Sequence, residues 1–66
     1  MNWDRIEGKW KELKGEAQMR WGRLTDDDWT VIHGKREALV GKLQSLYGKS
    51  KDEIEREVDD WSRTPR

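Results

Sequence analysis

The sequence predicts an all-α protein, a small bundle of four to five short helices made of two repeated helical hairpins and a C-terminal helix. Three observations carry that prediction. Apolar residues recur at helical spacing, the chain repeats itself at an offset of 26 residues, and glycines and capping residues punctuate the amphipathic stretches.

The repeat aligns WDRIEGKWKELKGEAQMRWGR (3–23) with WTVIHGKREALVGKLQSLYGK (29–49), with eight identities in 21 positions. Identical pairs include Trp3/Trp29, Ile6/Ile32, Gly8/Gly34, Leu13/Leu39, Gly15/Gly41 and Gly22/Gly48. Two copies are too few for a solenoid, so they are expected to form a duplicated helical hairpin packed on its twin. Each unit reads as a short helix, a glycine, a longer helix and a second glycine.

In the first unit Trp3, Ile6, Trp10, Leu13, Ala17, Trp21 and Leu24 fall on one helical face. In the second, Ile32, Leu39, Leu43 and Leu46 do the same, flanked by Val40 and Tyr47. Thr25 with Asp28 opens the second unit as a capping pair, and Ser50 with Glu53 opens a third segment in which Ile54, Val58 and Trp61 share a face. Asp26, Asp27, Asp28, Asp52 and Glu53 sit where the helix dipole favours negative charge. Gly22 and Gly48 read as left-handed C-terminal caps, and Gly8 and Gly34 as bends between the short and long helices. Gly15 and Gly41 lie opposite the apolar face, where burial of that face does not require glycine. They either admit close approach by another backbone or loosen their helices at about 1 kcal/mol each.

A chain of 66 residues holds one thin core at most. We place the domain at residues 1–61, with 62–66 as a flexible tail. Charged residues make up 42%, a composition leaning toward disorder, but 14 basic residues balance 14 acidic ones and five tryptophans supply large apolar surfaces. The absence of cysteine leaves no disulfide framework or thiolate metal site. No apolar run approaches the ~20 residues of a membrane span, and the N-terminus lacks a signal-peptide core. The expected location is cytoplasmic.

The sequence offers little for catalysis. His33 is the single histidine, and Ser45, Ser50 and Ser62 have no evident base. Tyr47 matches Trp21 in the repeat and reads as a core aromatic. Asp26 to Asp28 lack the alternating spacing of a calcium loop and are better explained as a helix N-terminus. His33 is expected in solvent or at a helix boundary. No catalytic residue, cofactor, metal site or small-molecule substrate is assigned.

Charge is unevenly distributed. Residues 34–51 carry Lys35, Arg36, Lys42, Lys49 and Lys51 against Glu37 alone, whereas residues 52–66 hold six acids against three arginines. The leading expectation is that basic and acidic helices lie against each other and specify docking. The alternative is a phosphate-binding face. Lys35, Lys42 and Lys49 each follow a glycine at a spacing of seven, and with Arg36 they are the candidate anion or nucleic-acid contacts. A pI near 6.6 lacks the basic excess of a dedicated nucleic-acid binder. Lipid-surface binding through the 3–24 face would leave the fold without a core. An unknown protein partner or self-association through the glycine faces remains open.

The stretches NWDRIEGKWKELKGEAQMRWGRLTDDDW and IHGKREALVGKLQSLYG, with the terminal EVDDW, closely resemble the CsbD-like family of small bacterial proteins, particularly its YjbJ-like branch. The resemblance runs from about Met1 to Trp61. It implies an all-helical bundle similar in arrangement to SAM-like folds, accumulating in the general stress response or stationary phase, with no enzymatic activity or cofactor. Where the family usually carries an acid before the GK of Gly34 and Lys35, this chain has His33. The expected function is that of a non-enzymatic stress-response protein acting by stoichiometric interaction or protection. High hydrophilicity and glycine content add a compositional analogy to proteins that protect others during water loss. The alternative is weak, sequence-independent nucleic-acid binding.

Overall fold

The computed structural model describes residues 3–63, which form five α-helices and no strand: α1 (Trp3–Gly8), α2 (Lys14–Arg20), α3 (Asp26–Ile32), α4 (Arg36–Tyr47) and α5 (Lys51–Arg63). This is the all-α bundle that the periodicity predicts. The closest helix packing is of α4 against α5 and α3.

The apolar stripes converge on one core. Ile6, Trp10, Leu13, Ala17, Trp21 and Leu24 from the first unit are buried with Trp29, Ile32, Leu39, Val40 and Leu43 from the second. Ile54, Val58 and Trp61 close the core from α5, and Trp3, Leu46 and Tyr47 pack against it half-buried. Periodicity alone therefore identifies most of the side chains that hold the helices together.

Tryptophans supply the core's directional contacts. Trp10 and Trp29 stack with ring centroids 3.5 Å apart and planes 6° from parallel. Each indole N–H donates to the other residue's carbonyl, Trp10 Nε1 to Trp29 O at 2.8 Å and Trp29 Nε1 to Trp10 O at 2.7 Å. This reciprocal clasp satisfies both buried indole donors, which would otherwise be costly to bury. Trp61 meets Trp21 and Trp29 edge-on, at 5.5 and 6.1 Å between centroids.

The same clasp makes the two repeats unequal. In the second unit α4 is a continuous helix of 12 residues, but in the first the corresponding stretch begins with turns over 9–13, and α2 has only seven residues. In a continuous helix the Trp10 carbonyl would accept from the amide four residues on; here it takes the Trp29 indole. Arg36, the repeat partner of Trp10, enters no such contact, and α4 starts at that residue.

Helix boundaries agree with the capping residues. The Asp28 amide donates to Thr25 Oγ1 at 3.0 Å and the Thr25 amide to Asp28 Oδ2 at 3.2 Å, a reciprocal capping box. At α5 the Glu53 amide donates to Ser50 Oγ at 3.3 Å, and the Ser50 hydroxyl turns to Glu53 Oε1 at 3.4 Å. Gly48 is the left-handed cap expected, with φ 64°. Gly22 is not: α2 is capped by Trp21 at φ −124°, and the positive-φ residues among the described ones are His33, Gly34 and Gly48. Trp21 is committed to the core and to Glu57, so its own extended backbone ends the helix before Gly22 is reached. The second unit instead bends through consecutive left-handed residues, His33 at 52° and Gly34 at 81°, whereas Gly8 simply completes α1.

Helix α5 runs on through Ser62 and Arg63, the first two residues of the stretch expected as a flexible tail. Ser62 is buried and its hydroxyl donates to the Asp59 carbonyl at 2.8 Å. Residues 64–66 of that tail lie outside the described residues.

Candidate functional site

The four candidate contacts cluster around α4 but do not converge on one point. Lys35 is the N-cap residue, Arg36 the first helical residue, Lys42 lies mid-helix and Lys49 follows the Gly48 cap. Lys42 reaches Asp28 on α3 at 3.1 Å. Arg36 meets Asp59 at 2.7 Å and Lys49 meets Glu57 at 3.0 Å, both on α5. The stripe that sequence spacing draws along α4 is thus divided between two neighbouring helices. Lys35 is exposed and has no ion pair among the described residues.

The acidic partners are themselves fixed. Asp28 also closes the capping box of α3, and Glu57 Oε1 accepts the Trp21 indole N–H at 3.1 Å while its Oε2 takes Lys49. Basic and acidic helices therefore lie against each other, as the charge distribution leads one to expect. Exposed pairs contribute only about 0–1 kcal/mol each, so their main effect is on how the helices dock.

These contacts hold three carboxyls below their ordinary range. Asp28 is lowered by the Thr25 backbone hydrogen bond and then by Lys42; Asp26 by the Gln18 amide at 2.8 Å and then by Lys14. For Glu57 burial is the largest influence and pushes upward, but the Lys49 and Trp21 hydrogen bonds with the charges of Lys49 and Arg20 outweigh it. A carboxyl with a lowered folded-state pKa stabilises the fold above its unfolded value, and that contribution disappears as pH falls through the folded value. With ordinary values of 3.8 for Asp and 4.5 for Glu, the thermal midpoint is expected to hold above about pH 5 and to fall steadily below about pH 4.5. Circular dichroism melts at successive pH values check this, and a midpoint that rises on acidification would contradict it. Asp28→Asn should lower the midpoint at neutral pH and flatten its acid dependence.

The remaining sequence candidates are accounted for by structure. Asp26 binds Gln18 and Lys14, the latter at 3.5 Å. Among the described residues no group of three or more metal-ligating side chains is disposed to hold an ion. Ser50 is a helix cap, Ser62 is committed to Asp59 O, and Ser45 is exposed. The Tyr47 hydroxyl accepts the Arg23 amide N–H at 3.1 Å, and the Arg23 guanidinium lies 5.6 Å over the ring while donating to Leu46 O. This junction between the repeats had no sequence signal beyond the conservative Arg23/Lys49 and Trp21/Tyr47 pairs.

Two surface concavities flank α3. A groove of about 410 Å³ between α3 and α4 is lined by Asp28, Val31, Ile32, Ala38, Gly41, Lys42 and Ser45. A smaller one of about 310 Å³ is lined by Trp10, Lys11, Lys14, Trp29, Thr30 and His33. Among the described residues no helix is long and apolar enough to cross a membrane.

Five short helices on a tryptophan core, under a surface whose opposite charges pair between helices, define a small all-α protein of the hydrophilic bundle class. The CsbD-like family model matches residues 4–56, and the chain belongs to that family. It is 56% identical to UPF0337 protein YjbJ of Escherichia coli (strain K12) over 61 residues, covering 92% of this chain and 88% of the relative. It is 57% identical to UPF0337 protein YjbJ of Salmonella typhimurium, covering 92% and 87%. UPF0337 protein pc0632 of Protochlamydia amoebophila is 56% identical, with 92% of each chain covered. No solved structure matches the chain.

Proposed function

We propose that this protein is a non-enzymatic component of the bacterial stress response that works in the cytoplasm by stoichiometric interaction with, or protection of, other macromolecules. The observation that carries this reading is the surface: 14 basic and 14 acidic residues, mean hydropathy −1.26, and ion pairs that tie α3, α4 and α5 together. A neutral, densely charged shell hydrates strongly without attracting one sign of partner over long range. The resemblance to the CsbD-like family, which implies accumulation in the general stress response, supports this reading. The partner is an unidentified protein or a second copy of the chain.

The reading is tested by drying or freeze-thawing a labile reporter enzyme with increasing amounts of the purified protein. Stoichiometric protection should saturate near equimolar ratios and exceed that of an equal mass of serum albumin. Protection that rises only with total protein mass, or none, rejects it.

A second reading is weak, sequence-independent nucleic-acid binding through Lys35, Arg36, Lys42 and Lys49. It is favoured by the exposure that the paired side chains retain, 32% for Arg36, 41% for Lys42 and 44% for Lys49, which leaves them within reach of phosphate. Titrating tryptophan fluorescence with mixed-sequence DNA and RNA at low and near-physiological salt tests it. Steep weakening with salt, lost in a Lys35/Lys42/Lys49 triple alanine variant, is the expected result. Binding unchanged in that variant excludes the site.

A further inference from the structure

Helix α2 is weak by its own sequence. It has seven residues, starts after Leu13, whose side chain offers no acceptor to the first amides, and carries Gly15 at its second position. A helix this short is marginal alone, and a glycine weakens it further. The closest helix packing in the fold is of α4 with α5 and α3. Helix α2 is therefore kept in place by the burial of Ala17 and Trp21 and by the hydrogen bonds its side chains send to neighbouring helices.

Those bonds end on carboxylates. Gln18 Nε2 donates to Asp26 Oδ1 on α3 at 2.8 Å, and Lys14 Nζ approaches Asp26 Oδ2 at 3.5 Å. Trp21 Nε1 donates to Glu57 Oε1 on α5 at 3.1 Å, and Lys49 Nζ holds Glu57 Oε2 at 3.0 Å. The anchors on either side of α2 are of another kind. Before it, the Trp3 and Trp10 indoles donate to the carbonyls of Gly34 and Trp29, both at 2.8 Å. After it, the Arg23 amide donates to the Tyr47 hydroxyl and its guanidinium to Leu46 O, both at 3.1 Å. Protonation weakens a carboxylate as an acceptor and removes its ion pair, and it leaves a carbonyl or a phenol unchanged.

We propose that α2 is an acid-released flap, which opens ahead of the rest of the fold and bares the face where Trp21 meets Trp61 edge-on, with centroids 5.5 Å apart. Lys49 from the linker before α5 and Arg20 from α2 face Glu57, and Lys14 from α2 faces Asp26, all favouring the charged carboxylates. Glu53, Arg56 and Asp60 flank Glu57 along α5, and Asp27 and Asp28 follow Asp26 on α3. Both carboxyls lie below their ordinary values, so the tethers are complete above those values and are lost as pH falls through the lowered ones. Asp28 titrates in the same acid range, but its contacts run to Thr25 and Lys42 rather than to α2.

Amide hydrogen exchange of the full chain, followed by nuclear magnetic resonance from about pH 6.5 to about pH 3.5 and expressed as protection factors, tests the flap. The Ala17 and Trp21 amides, bonded to Leu13 O at 2.9 Å and Ala17 O at 2.8 Å, report on α2; the Leu39 and Ile54 amides report on α4 and α5. On acidification the α2 pair should lose protection by about fivefold or more beyond any loss at Leu39 and Ile54. Asp26→Asn/Glu57→Gln keeps an acceptor oxygen at each position without the charge. Its α2 amides should show the parent's acid-level protection already at about pH 6.5, with no further pH dependence. Gly15→Ala, with nothing within 4 Å of the new methyl, should raise α2 protection about fivefold at every pH. The proposal is overturned if the α4 and α5 amides lose protection in step with α2, or if α2 keeps its protection throughout. It is equally overturned if the double variant retains the parent's pH dependence, or if Gly15→Ala leaves α2 unchanged.

Discussion

Trp29→Ala is expected to abolish cooperative folding at room temperature. Truncating a buried tryptophan costs about 3 to 5 kcal/mol, and a chain of 66 residues has a total stability of only about 3 to 10 kcal/mol. The site offers no cheap relaxation. Trp29 is 2% exposed, stacks on Trp10, meets Trp61 edge-on and donates to Trp10 O. Removing it opens a void between the two repeats and strips Trp10 of its stacking partner. Trp29→Phe retains a ring but not the donor and should lose about 1 to 2 kcal/mol, while Trp3→Ala, at the half-buried rim, should fall between parent and Trp29→Ala. Thermal and urea unfolding followed by circular dichroism separate the three. A cooperative transition in Trp29→Ala within about 5 °C of the parent would mean that the clasp does not hold the repeats together.

The clasp also shows where sequence patterning runs out. Helical periodicity identified the buried face because burial repeats with the helix, and every large apolar residue assigned to a stripe lies in the core or against it. Capping residues located the start of α3 for a similarly local reason: Thr25 and Asp28 are three positions apart and interact with each other's amides. The end of α1 at Gly8 was legible, but the stretch of turns over 9–13 before α2 was not, because it depends on a carbonyl taken by an indole 19 residues away. Gly22 fails in the same way, whereas His33 lies where it was expected, exposed at a helix boundary. A glycine after an aromatic suggests a left-handed cap, but Trp21 is held by Glu57 on α5 and ends α2 itself; the left-handed backbone of His33 at the end of α3 had no glycine to announce it.

Charge follows the same division between local and distant. The opposition of a basic α4 and an acidic α5 was readable from composition, and Arg36–Asp59 and Lys49–Glu57 realise it. That Lys42 would turn instead to Asp28 was not, since seven-residue spacing places Lys35, Lys42 and Lys49 on one line whatever lies beside the helix. The candidate anion contacts were therefore legible as residues but not as a geometry. Lys11 and Lys14 carried no motif at all, and only the fold brings them to His33 and the indole pair.

Alanine substitution of two glycines should move stability in opposite directions, although the repeat presents both as identical pairs. Gly34→Ala is expected to cost about 1 to 2 kcal/mol. Its φ is 81°, and a Cβ there would come within 2.7 Å of Glu7 Cγ, with the Glu7 Cα at 3.5 Å. The Glu7 side chain can swing aside, so the lasting penalties are the left-handed backbone and any shift of the Gly34 carbonyl, which accepts the Trp3 indole N–H at 2.8 Å. Gly41→Ala should instead add about 1 kcal/mol, because the residue is mid-helix and nothing lies within 4 Å of the new methyl. In melting experiments the first variant should fall by about 5 to 15 °C and the second rise by about 4 to 8 °C. A neutral Gly34→Ala would show that the bend tolerates a side chain. A drop for Gly41→Ala that deepens with protein concentration would show that a second copy packs on this face, since among the described residues of one chain there is nothing for the methyl to strike.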